Sequence, residues 1–121
     1  MNEGKDITSW ISFYTRQPGN EFLETLEDTT LACVHYNDIQ KLYEEFPEFN
    51  IIGRKQVEYS FYMSELRTRM LRKHTAVEKY KFLLENHPTL LQRVPLKHIA
   101  TYLGMNEETL SRVRSAYHKS N

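Results

Sequence analysis

Only one cysteine occurs in the 121-residue chain, so an intrachain disulfide is excluded, and Cys33 has no second thiol with which to hold a metal. Flanked by Leu31-Ala32 and Val34, it is expected to be a buried structural thiol rather than a reactive one. Long hydrophobic runs are also missing. Ile51-Ile52 and Phe82-Leu83-Leu84 are far shorter than the roughly 20 apolar residues that cross a bilayer. The first ten residues show no basic stretch leading into an apolar one, which removes the signature of a secretory leader. No membrane partner and a cytoplasmic location are therefore expected. Net charge is zero, with 16 basic and 16 acidic side chains, so the overall balance points to no polyanion. No internal repeat or low-complexity tract breaks the chain.

What is present is a folding composition: 40% hydrophobic, 26% charged and 12% aromatic residues, far from that of a disordered tail. The charge is unevenly placed. Residues 1–63 carry five Lys/Arg against eleven Asp/Glu, and residues 64–121 carry eleven against five. Such a split suggests that the carboxy-terminal half meets a polyanion while the other half has a separate task.

Along the chain, Phe22–Leu26 and Thr30–Tyr36 alternate in part around the acidic turn Glu27-Asp28-Thr29, a pattern that predicts two strands. Asn37 and Gln40 resemble a capping box opening a helix whose stripe is Ile39, Leu42, Tyr43 and Phe46, with Pro47 ending it. A long helix is predicted over residues 48–73, which hold one glycine, Gly53, and no proline. Ile52, Tyr59, Met63, Leu66 and Met70 recur with a spacing near 3.5 and form a candidate dimer seam of coiled-coil type. A helix buried in its own domain, with Val57, Phe61 and Tyr62 on a broader face, is the competing reading. Thr75 and Glu78 form a capping box for a further helix that Pro88 stops, and Thr89–Pro95 reads as a connector.

The stretch Val94–Arg114 holds the most specific signal. Leu96–Tyr102 reads as a helix with Leu96, Ile99 and Ala100 inward, closed by Leu103-Gly104, where glycine suits a left-handed cap. Asn106 caps a second helix whose first turn carries Glu107 and Glu108, with Leu110 and Val113 facing back. Helix, glycine turn and helix make a helix-turn-helix. In a major groove Arg112 can donate two parallel hydrogen bonds to guanine, Glu108 can accept from cytosine, and Ser111 can reach a base or phosphate. Lys97, His98, Arg114 and Lys119 are the candidate phosphate contacts, with Arg67, Arg69, Arg72 and Lys73 more distant. The alternative for Glu108 and Arg112 is a solvated i, i+4 ion pair with no ligand.

These residues resemble the Crp/Fnr family of bacterial transcription regulators over most of the chain. Leu26–Arg54 is similar to the end of that family's cyclic-nucleotide-binding-type β-roll and the start of its dimerisation helix. Thr75–Arg114 is similar to its DNA-binding domain, as written in Bacteroidetes-type members, and the Glu108, Ser111, Arg112 spacing matches the family's base-reading signature. The resemblance implies an α+β fold: a partial β-roll over 1–47, a long dimerisation helix over 48–73, and a helix-turn-helix (winged-helix-like) domain over 74–121. It further implies a homodimer on a two-fold symmetric double-stranded DNA site. The family's phosphate-binding cassette is not recognisable, Gly19 and Asn20 standing where Arg-Ser would be, so no cyclic nucleotide or other cofactor is expected and any small-molecule effector is unassigned. After Tyr117 there is no sequence that resembles the wing hairpin.

No enzyme is expected. The histidines His35, His74, His87, His98 and His118 have no metal-ligand spacing, and no phosphate loop, nucleophile elbow or distinctive carboxylate pair occurs. The aromatic residues Tyr59, Phe61, Tyr62 and Tyr80 suit core packing better than a ligand pocket. A second function class stays open beside DNA recognition: an interaction module that pairs with relatives through the long helix without specific DNA binding.

Overall fold

Seven helices make up the regular structure of residues 5–121, the part of the chain described by the computed structural model. They are α1 (Trp10–Thr15), α2 (Tyr36–Glu45), α3 (Pro47–Lys73), α4 (Ala76–Asn86), α5 (Leu90–Arg93), α6 (Leu96–Tyr102) and α7 (Glu107–Ser120). The described residues contain no strand, so the expected α+β class is corrected to all-helical, and neither a partial β-roll over 1–47 nor a winged sheet accompanies the helix-turn-helix. Alternation in Phe22–Leu26 and Thr30–Tyr36 meets no second element to pair with. That segment is exposed throughout and irregular up to His35. Cys33 lies within it and is exposed, against the expectation of a buried thiol.

Contacts divide the chain into two units, the first ending at Ile51 and the second spanning Ile52–Asn121. In the first, Phe13 and Tyr36 meet edge to face at 5.1 Å, and Trp10 stacks on Tyr14 at 5.6 Å. The Arg16 guanidinium lies 4.4 Å above the Tyr36 ring. No described residue of this unit is buried. His35, not Asn37, caps α2, its Nδ1 accepting from the Asn37 amide at 3.2 Å. Pro47 does more than stop α2. It occupies the first position of α3, where its missing N–H costs nothing, and the Asn50 side chain donates to the Tyr43 carbonyl at 2.8 Å.

The second unit contains the core. Met70, Tyr80, Leu83, Ile99, Ala100, Leu103, Leu110 and Val113 are buried together, with Leu71, Leu90, Leu91, Leu96, Met105 and Tyr117 packed around them. Both α4 and α6 pack on α7, and α5 packs on α6. The predicted capping box closes α4: the Glu78 amide donates to Thr75 Oγ1 at 3.3 Å, and the Thr75 amide donates to Glu78 Oε2 at 2.6 Å. Residues 90–93, read from sequence as connector, form one helical turn whose Leu90 and Leu91 pack against the core while Gln92 and Arg93 stay exposed.

Candidate functional site

The site is built on α6, α7 and the turn between them. The turn has the hydrogen bonding of a Schellman motif. The Gly104 amide donates to the Thr101 carbonyl and the Met105 amide to the Ala100 carbonyl, each at 3.0 Å. Gly104 has φ +63°, a left-handed conformation that glycine adopts without cost. Asn106 then opens α7 in extended backbone, its side-chain oxygen accepting from the Thr109 amide at 2.8 Å. Glu107 and Glu108 follow at the positive end of the helix dipole.

Helical periodicity divides α7 into two faces. Leu110 and Val113 are buried and Tyr117 is half-buried against the core. Glu108, Ser111, Arg112, Ser115 and Lys119 lie on the opposite face, all exposed, and the last four with Ala116 line a shallow depression. The Glu108–Arg112 ion pair weighed from the sequence does not form. Arg112 Nη2 instead donates to Thr109 Oγ1 at 3.3 Å, whereas Arg54 and Glu58, also four apart, do form an ion pair at 2.8 Å. The carboxylate of Glu108 is therefore left to face solvent beside an independently held guanidinium.

The remaining expected cations fall in different settings. Lys97 and His98 are exposed in the first turn of α6, and Lys119 is exposed in the last turn of α7. Arg114 is exposed on the flank of α7, where its charge acts on the Tyr80 phenol. Burial is the stronger influence there and pushes the Tyr80 hydroxyl above the ordinary tyrosine value, with neighbouring Tyr117 adding to it. Tyr80 hydrogen-bonds His118 Nε2 at 3.1 Å and meets Tyr117 edge to face at 5.4 Å. These contacts fasten the carboxy-terminal turns of α7 to α4. Sequence reasoning missed them because Tyr80 and His118 are 38 positions apart.

The proposed seam of α3 divides as well. Ile52 is 59% and Tyr59 43% exposed, whereas Met63 and Leu66 are half-buried. Met70 is wholly buried in its own chain's core, so its place in a dimer seam is corrected to a core residue. Arg67, read as a distant phosphate contact, instead donates to the Tyr102 carbonyl at 3.3 Å.

Among the described residues no group of three or more His, Cys, Asp or Glu is placed to hold a metal ion. No described helix is long and apolar enough to cross a membrane. No protein-family model, curated protein or solved structure matches the chain.

Proposed function

We propose that the chain is a sequence-specific DNA-binding transcription regulator, dimeric through α3 and reading bases with Glu108, Ser111 and Arg112. The observation that carries this reading is the exposed face of α7. An acid, a hydroxyl and a guanidinium stand together on a helix that is capped, packed on α4 and α6 from behind, and free of the ion pair that would occupy Arg112. A two-helix unit with that face is shaped to enter a major groove, with Arg112 on guanine O6 and N7 and Glu108 on a cytosine amine. The spacing of these three residues, which resembles the Crp/Fnr signature, supports the same roles. Lys97, His98, Arg114 and Lys119 are proposed to contact phosphate, and Ile52, Tyr59, Met63 and Leu66 to supply the seam with a second copy.

Selection of bound sequences from a random double-stranded DNA library, with Arg112→Ala in parallel at matched salt, tests the proposal. The parent is expected to enrich an inverted repeat. Arg112→Ala is expected to lose about 1–3 kcal/mol at the cognate site and relax specificity at one base pair of each half. Lys97→Ala is expected to weaken all DNA alike and flatten the salt dependence by about one unit of slope. Equal losses on cognate and random DNA from Arg112→Ala would refute base reading.

A second reading, an interaction module without specific DNA binding, is favoured by one observation: Phe22, Leu23, Leu26, Leu31 and Val34 all project from one irregular stretch into solvent. It predicts no enriched sequence and weak, salt-sensitive binding only. A strictly monomeric chain at micromolar concentration in sedimentation would contradict both readings, since each uses α3 to pair.

A further inference from the structure

The carboxy-terminal end of α6 leaves carbonyl groups that its own helix cannot satisfy, and the negative end of its dipole lies there. One of these, the Tyr102 carbonyl, accepts from Arg67 Nη2 at 3.3 Å, across 35 residues of sequence. The same guanidinium is centred 4.8 Å from the Tyr102 ring, a cation–π contact that uses its planar shape. Tyr102 is held from its other end, because its hydroxyl hydrogen-bonds His87 Nε2 at 3.2 Å and the two rings meet edge to face at 5.7 Å. One helical turn beyond Arg67 on α3 stands Leu71. A β-carbon added to Gly104 would lie 3.0 Å from Leu71 Cδ2. The end of α6 and the turn after it therefore abut two successive turns of α3.

We infer that Arg67 is a positioning residue for DNA recognition: it locks the helix-turn-helix to α3, and so sets the separation between the two half-sites that a dimer reads. The inference rests on the proposed function above, in which α3 pairs two copies. Two recognition helices reach successive major grooves only at a defined spacing, so rotation of α6 and α7 about the end of α3 changes which spacing fits. Arg67 clamps that rotation through a carbonyl and a ring at once. The side chain remains exposed, so its contacts with Tyr102, rather than burial, are what assign it a positioning role.

The test presents inverted repeats whose half-sites are separated by different numbers of base pairs to the parent, Arg67→Ala and Arg67→Lys, with thermal unfolding followed for each. The parent is expected to prefer one spacing. Both variants are expected to lose about two- to tenfold of that preference, the scale of one missing positioning contact, while affinity for an isolated half-site and the salt slope stay those of the parent. Lysine keeps the charge but not the planar stack, so a phosphate-binding role would leave Arg67→Lys like the parent in every respect, and that result overturns the inference. A sharp parental spacing retained by Arg67→Ala overturns it too. If Arg67→Ala does not fold, Arg67→Lys carries the test alone. Failure of the parent to enrich any inverted repeat removes the underlying reading, and it is seen before any variant is compared.

Discussion

Replacing Gly104 by alanine should destabilise the second unit by about 1–2.5 kcal/mol, and the figure can be assembled from three contributions. A β-carbon at φ +63° crowds the neighbouring carbonyl, a strain of about 1–2 kcal/mol for a single left-handed residue. Alanine also narrows the unfolded ensemble, which offsets about 0.4–1 kcal/mol. The new methyl meets Leu71 Cδ2 at 3.0 Å, so the leucine must give by a few tenths of an ångström, and overpacking of this kind costs upwards of about 1 kcal/mol when neighbours cannot yield. Urea unfolding followed by circular dichroism measures the sum as a lower midpoint at constant slope. Gly104→Asn separates the parts: asparagine tolerates the left-handed region but brings the same β-carbon, so it should lose roughly half as much. In a Leu71→Ala background the contact disappears and only the strain stays, so the cost of Gly104→Ala should fall by about 0.5–1 kcal/mol. A neutral or stabilising Gly104→Ala would refute the reasoning, and equal costs for alanine and asparagine would show that backbone conformation is not the source.

Three further outcomes follow from the caps and the core. Leu110 is fully buried beneath the proposed reading face, so Leu110→Ala should cost about 2–5 kcal/mol in urea unfolding and weaken binding to every DNA sequence alike. Tyr80→Phe should lose about 0.5–1.5 kcal/mol with its hydrogen bond to His118. Burial raises the Tyr80 phenol, so the folded state favours the neutral form; stability is complete below the ordinary tyrosine value near 10 and falls as pH rises through the raised one, a loss that Tyr80→Phe should reduce in alkaline unfolding curves. At the other extreme, hydrogen bonds from the Thr75 backbone and side chain hold the Glu78 carboxyl below the usual carboxylate range. Its contribution is present above that range and disappears as pH falls through the lowered value, and Glu78→Gln should flatten this part of the acid unfolding curve.

The features legible in the sequence are those whose physics is complete within a few residues. Thr75 with Glu78, Asn106 with the Thr109 amide, and Gly104 after Leu103 each satisfy helix-end groups locally, and each occurs as expected. The long helix was legible too, because nothing between Pro47 and Lys73 interrupts it. The failures concern partners. Alternation in Phe22–Leu26 and Thr30–Tyr36 specifies a strand only if a second strand receives its hydrogen bonds, and none does among the described residues. A spacing near 3.5 describes an apolar stripe without saying whether another chain or the same one covers it, which is why Met70 could be read as seam and is core. His35 took the capping place given to Asn37, since an imidazole nitrogen can accept an amide proton as an Asx oxygen does. For the site, the exposed triad of Glu108, Ser111 and Arg112 was visible as one helix face, while the Arg67–Tyr102–His87 chain spans elements that no local pattern connects.

Every buried residue of the described chain lies between Met70 and Val113, and this predicts how the protein should come apart under protease. Segments with few buried apolar contacts open at little free-energy cost, and cleavage tracks the population of open forms. Thermolysin, which cuts before large apolar residues, should therefore act first at Phe22, Leu23, Leu26 and Leu31, all exposed and outside any helix. The product should be a resistant fragment corresponding to the second unit, Ile52–Asn121, trimmed at exposed positions of α3 but protected from Met70 onward. Mass spectrometry of a digestion time course identifies the cuts. If the stretch from Phe22 to Val34 survives while α4 or α6 is cleaved, burial does not govern the order of opening. A stretch that resists in concentrated protein but is cut on dilution would instead show that a second copy covers the apolar side chains between Phe22 and Val34, and would favour the interaction reading.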